Sequence, residues 1–122
     1  VRLPAELTAS GLAMLSRLPA AQVRALYPAA SQLIRREEHG PRTLTELRRA
    51  LTQTRARGYA VESGTVTEGL ASVAVAVVDH TDHPVAAVAV TYPSDVVDTA
   101  GRDRLVEQVR RVAAALTARL RG

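Results

Sequence analysis

The 122-residue chain carries a net charge of +4 and is 47% apolar, yet it has no Phe, Trp or Cys and only three Tyr. That length and composition allow one domain with a modest core of Leu, Val and Ala, and the lack of cysteine excludes disulfides, thiolate metal sites and a thiol nucleophile. No apolar run reaches the roughly 18 residues of a membrane span, and no stretch reads as a signal peptide, so the expectation is a cytoplasmic protein with no membrane partner.

Every basic residue is Arg. The pairs Arg35-Arg36, Arg48-Arg49 and Arg110-Arg111 are scattered and have Glu37-Glu38, Glu46 or Glu107 nearby. With almost no aromatic residue for base stacking, they read as solvated helix faces rather than a nucleic-acid surface. The opening Val1-Arg2-Leu3-Pro4 reads as a fragment of something longer.

In chain order, Leu12, Leu15 and Leu18, with Met14 beside them, follow helical spacing over 8–18, with Thr8 or Ser10 as cap. Pro19 opens a second helix, Ala20 to Tyr27, with Val23, Leu26 and Tyr27 inward, and Pro28 ends it. The polar stretch 31–42 reads as a loop. Thr43-Leu44-Thr45-Glu46 fits a capping box, Leu44, Leu47 and Leu51 mark one face of a third helix, and Gly58 stops it. Tyr59-Ala60-Val61-Glu62 alternates as a short strand. Asp98 or Thr99 caps a last helix whose apolar stripe is Leu105, Val109, Val112, Leu116 and Leu120.

Between these helices lie two Val/Ala-rich runs, 68–78 and 84–93, joined by Asp79-His80-Thr81-Asp82-His83. They read as an antiparallel hairpin. If Val78 pairs with Val85, Ser72 falls opposite Thr91, Ala74 opposite Ala89 and Ala76 opposite Ala87. Val73, Val75 and Val77 then share the other face with Val90, Val88 and Ala86. One face is bulky and meant for helices. The other is a low floor of small side chains, to be covered by a close helix or by a ligand. Helices around a hairpin, without β-α-β alternation, give an α+β class with an antiparallel sheet.

Catalytic machinery is absent from the sequence. His80 and His83 flank Asp82 in an exposed turn and fall short of a four-ligand metal site. No phosphate-cradling glycine motif occurs, and Glu62 and Glu68 have no evident acid or nucleophile beside them. Neither metal nor cofactor is implied, and the reading is not an enzyme.

Four segments together resemble IclR-type bacterial transcription regulators. Leu3-Pro4 followed by Thr8-Ala9-Ser10-Gly11-x-Ala13 is similar to "LP-x-H-A-T-A-x-G-K-A", and Arg55-Ala56-Arg57-Gly58-Tyr59 to "R-x-R-G-Y". The runs Glu68 to Val77 and Val85 to Pro93 resemble "x-x-G-x-x-C/S-I-A-A-P-V" and "V-V-A-A-L-S-V-S-G-P". They stand in the family's order, covering 3–121.

The resemblance implies that 1–122 is the larger part of a C-terminal effector-binding domain. Its fold would be a GAF-like, profilin-like antiparallel sheet flanked by helices and lacking its first strands. It implies a small-molecule effector, self-assembly as homodimer or tetramer, and DNA contact only through an absent N-terminal winged helix-turn-helix. Small carboxylic acids such as pyruvate or glyoxylate, or aromatic acids, sit over the sheet in such regulators. Carried over, the Ala9 and Ser10 amides would receive the carboxylate, as physics favours at a helix start. Glu62 takes the family's acidic position, Ser72 its Cys or Ser, Thr91 its last strand serine and Ala89 an earlier one, while Leu70 forms an apolar wall. Ala89 in place of a hydroxyl and Tyr92 in place of glycine imply a more apolar, narrower pocket. The alternative is a structural oligomerisation domain whose floor is filled by Leu12, Leu15 and Tyr92, with a vestigial pocket.

Overall fold

The computed structural model describes residues 8–26, 43–64 and 66–121. The expectations for Tyr27, Pro28 and the loop 31–42 lie outside them. Helix α1 (Ala9–Leu15) begins at Thr8, whose Oγ1 accepts from the Gly11 N–H at 2.9 Å, so Thr8 rather than Ser10 is the cap. It stops short of Leu18: the amides of Ser16, Arg17 and Leu18 close the turn onto Leu12, Met14 and Leu15 carbonyls. Helix α2 (Ala20–Leu26) buries Val23, whereas Leu26 is exposed rather than inward.

Helix α3 (Leu44–Arg57) is bounded as its punctuation dictates. Thr43 Oγ1 accepts from the Glu46 N–H at 3.1 Å, and Gly58 ends the helix at φ 88°, in the left-handed region that glycine enters without steric cost. Leu47 and Leu51 pack with Leu15 and Val23.

Three strands follow in the order β1-β2-β3, all antiparallel: β1 (Ala60–Ser63), β2 (Leu70–Val78) and β3 (Pro84–Pro93). Tyr59 precedes β1 rather than starting it. Ser72 pairs with Thr91, Ala74 with Ala89 and Ala76 with Ala87, as alternation predicts. At the hairpin end a bulge between Val77 and Val78 moves Val78 onto Pro84 instead of Val85. The bulge absorbs the turn, where the Asp79 carboxylate accepts from the Thr81 hydroxyl (2.6 Å) and the amides of Thr81 (2.8 Å) and His83 (3.1 Å). Asp82 there has φ 64° and pairs with Arg121.

The two sheet faces separate by side-chain size. Val73, Val75, Val88, Val90 and Tyr92 cluster with Val106 and Val109 of α4 (Thr99–Arg121). Ala60, Ala74 and Ala76 form the opposite floor, and Ala9, Leu12 and Ala13 of α1 press on it. A helix therefore roofs the alanines, whose lack of bulk lets its backbone come close. Leu15 and Tyr92 do not fill that floor. Leu15 joins the α2–α3 cluster, and Tyr92, paired with Ala71, points to the α4 side, so Tyr92 does not narrow the floor pocket.

Asp98 Oδ1 accepts from the Gly101 N–H at 2.8 Å and caps α4. The buried side of α4 is Val106, Val109 and Ala113, not the whole predicted stripe: Val112, Leu116 and Leu120 remain exposed. They occupy the flank of a wide apolar arc that the sheet only partly covers.

Candidate functional site

Strand register lines up two rows across the floor. One is Ala60–Ala74–Ala89; the next is Glu62–Ser72–Thr91, in which Glu62 of β1 faces Ser72 and Ser72 faces Thr91. Directly opposed residues share a face, so one carboxyl and two hydroxyls lie side by side. The Ser72 and Thr91 hydroxyls are hydrogen-bonded at 2.8 Å. Glu62 is buried, and its Oε2 accepts from the Val66 N–H at 3.4 Å. Val66 and Thr67 of the β1–β2 connection thus lie beside the row.

Helix α1 roofs the alanine row but ends at Ala9, so the polar row extends beyond it. The space left is a pocket of about 310 Å³. Ala9 and Ser10 line it from above; Glu62, Ser72, Ala89 and Thr91 line it from the sheet; Leu70 closes it as an apolar wall. All seven site residues expected from the sequence meet there. Thr8, Val66 and Thr67 also line it, beyond the seven that the sequence points to. Thr8 was legible as a helix cap, and a cap stands wherever its helix start stands. Val66 and Thr67 reach the pocket only because the connection folds back, which no local pattern signals.

The first turn of a helix leaves amide donors without intrahelical acceptors. Thr8 serves Gly11 through its hydroxyl and Leu12 through its carbonyl. The N–H groups of Ala9 and Ser10 have no acceptor among the described residues. The pocket thus offers amide donors from the helix start, two hydroxyls and a carboxyl from the sheet, and Leu70 as an apolar wall. The Ser72 hydroxyl bonds another hydroxyl, and among the described residues no histidine lines the space. Larger hollows exist elsewhere, one of about 550 Å³ between α1, α2 and Pro84, so size does not single this pocket out. Its donor set does.

A three-stranded antiparallel sheet, a helix on its small-residue face and a long helix on the other make this an α+β domain with a polar pocket at a helix start. The chain belongs to the family described as the bacterial transcriptional regulator IclR C-terminal domain, which matches residues 1–118. The crystal structure of the Agobacterium tumefaciens repressor BlcR is similar over 100% of this chain and 49% of its own, at 29% identity and TM-score 0.89. The C-terminal domain of the E. coli transcriptional regulator KdgR shares the fold over 98% of this chain and 72% of its own, at 21% identity and TM-score 0.86. The inducer-binding domain of an Acinetobacter PobR double mutant, solved with 3-hydroxybenzoic acid, shares it over 94% and 66%, at 22% identity and TM-score 0.79. The chain therefore spans about half the length of BlcR. No curated protein sequence matches it. Among the described residues no helix is long and apolar enough to cross a membrane.

Proposed function

We propose that this domain senses a small organic acid in the pocket beneath the start of α1, and that occupancy controls DNA binding by a domain outside this chain. The observation that carries the reading is the convergence of Ala9 and Ser10 with the Glu62–Ser72–Thr91 row on one pocket. The ligand carboxylate takes the two amides and the hydroxyl pair as donors. Glu62, on the same row as the hydroxyls, adds carboxyl oxygens that can accept from a hydroxyl on the ligand. Hydroxy acids carry both groups, and 3-hydroxybenzoic acid in the PobR domain is a molecule of that type. The domain performs no reaction, works in the cytoplasm, and assembles as a homodimer or tetramer. A ligand shifts such an assembly only by its difference in affinity between two arrangements.

The test is thermal denaturation against pyruvate, glyoxylate, 3-hydroxybenzoate and related acids. A ligand at a hundredfold excess over its Kd adds about 2.7 kcal/mol, or about 10 °C in Tm for a chain of this size. Ser72→Val should abolish the shift while leaving the unliganded Tm within a few degrees, because Thr91 is exposed and its hydroxyl turns to water. No shift with any acid, or an equal shift in Ser72→Val, refutes the proposal and leaves the structural oligomerisation domain as the reading.

A further inference from the structure

A second cleft lies at the other end of α1. Strand β1 pairs with β2 only over Ala71 to Ala74. Beyond that point the chain leaves the sheet through the Gly58 turn, and among the described residues β2 has no strand neighbour on that side over Val75 to Val78. A cleft of about 500 Å³ opens there, between the ends of α1 and α3 and the C-terminal half of α4. Its floor is small, with Ala76, Ala113 and Ala114. Arg17, Arg55, Arg110 and Arg121 all line it, and among the described residues no Asp or Glu does.

Arginines near helix ends serve exposed carbonyls, and that accounts for part of this set. Arg55 donates Nε to the Ser16 carbonyl at 2.8 Å and Nη2 to the Leu18 carbonyl at 3.0 Å, tying down the end of α1. Arg121 pairs with Asp82. Arg17 and Arg110 have no such duty: no carboxylate stands within 4.0 Å of either among the described residues. Arg110 lies across the Gly58 turn, where a Cβ would sit 3.2 Å from its Nη2. The missing side chain at 58 gives the guanidinium room beside the cleft. Sequence adds to the imbalance. The acids of α4, Asp103 and Glu107, fall in its first half, and every charged residue from Arg110 onward is Arg. Uncompensated positive charge around a partly enclosed space raises the local concentration of anions.

We propose that this cleft is a second ligand site, separate from the pocket under the start of α1, that binds a small organic or inorganic polyanion bearing carboxylate or phosphate groups. Arg110 and Arg17 hold the anionic groups, the guanidinium fork of each matching a carboxylate or phosphate. The alanine floor receives whatever apolar body the ligand carries.

Isothermal titration of the 122-residue chain with citrate and, separately, with pyrophosphate at low salt tests this and tells the two chemistries apart. Saturable single-site binding of at least one is expected, weaker at high salt. Arg110→Gln and Arg17→Gln should each weaken it about tenfold or more, the scale of a lost hydrogen bond to a charged group. Arg104→Gln, on α4 but away from the cleft, should leave it unchanged. Arg17 is exposed and not packed on the turn, so its variant keeps the test valid if Arg110→Gln melts early by circular dichroism. Absence of saturable binding overturns the proposal, as does binding that survives both cleft variants or that Ser72→Val abolishes, which would put the anion in the first pocket. Retention of duplex DNA, lost in the cleft variants while neither small anion binds, would make this a nucleic-acid surface instead.

Discussion

Ala74 and Ala89 are directly paired on one sheet face, yet they meet different surroundings, and the same substitution at each should give different results. Ala74 is fully buried under Ala9 and Ala13 of α1, while Ala89 is exposed at the floor of the pocket. Ala74→Val puts two more carbons where the helix already touches the sheet. Overpacking of this kind costs about 1–3 kcal/mol, and the better strand propensity of Val returns a few tenths at most. We expect a net loss of about 1–2 kcal/mol, roughly 4–8 °C in Tm for a chain of this length. Ala89→Val should change stability by less than about 0.5 kcal/mol, while filling part of the pocket and weakening any acid that binds there. Urea denaturation, read as a shift in midpoint at constant slope, measures both. If Ala74→Val loses less than about 0.5 kcal/mol, or Ala89→Val loses as much, the roofed floor with an open end is wrong.

Two further substitutions and a titration test other parts of the structure. Gly58→Ala should cost about 1–2 kcal/mol in the same assay, since φ 88° strains any residue with a Cβ and the new methyl would crowd Arg110. Asp79 should titrate at about 2 rather than 3.8, held down first by the Thr81 hydroxyl and then by the Thr81 and His83 amides. Its contribution to the turn is therefore complete above pH 3.8 and fades as pH falls toward 2. An NMR titration of its carboxyl carbon reads this directly. Thr81→Val should move the midpoint up toward 3.8, and a wild-type midpoint already there would show that the turn is not closed by these bonds.

The legible parts of this fold are those that neighbours along the chain control. A cap and its orphan amide lie three residues apart, so Thr43 and Gly58 declared both ends of α3 without reference to anything distant. Alternation along a strand is equally local. Once the hairpin was assumed, parity put Ser72 against Thr91 and separated alanines from valines, and the bulge at Val77/Val78 shifted only the last pair. The seven pocket residues came from family resemblance laid over that register rather than from any single pattern.

What depended on docking between elements could not be read in advance. An apolar arc on α4 says that one side is buried, but how far the sheet covers it is set by the opposing surface, so Val112, Leu116 and Leu120 stayed exposed. Analogy puts Tyr92 in the pocket, but its pairing with Ala71 sends it to the α4 face. The sequence alone determined both ends of α3, the hairpin register as far as Val77 and the division of the sheet into a bulky and a small face, because backbone hydrogen bonding and side-chain alternation act over a few residues. Only the tertiary structure decided that α1 stops short of the Glu62–Ser72–Thr91 row and that arginines from α1, α3 and α4 converge on a second cleft. Those outcomes depend on how whole elements seat against one another, which is a property of distance in space and not along the chain.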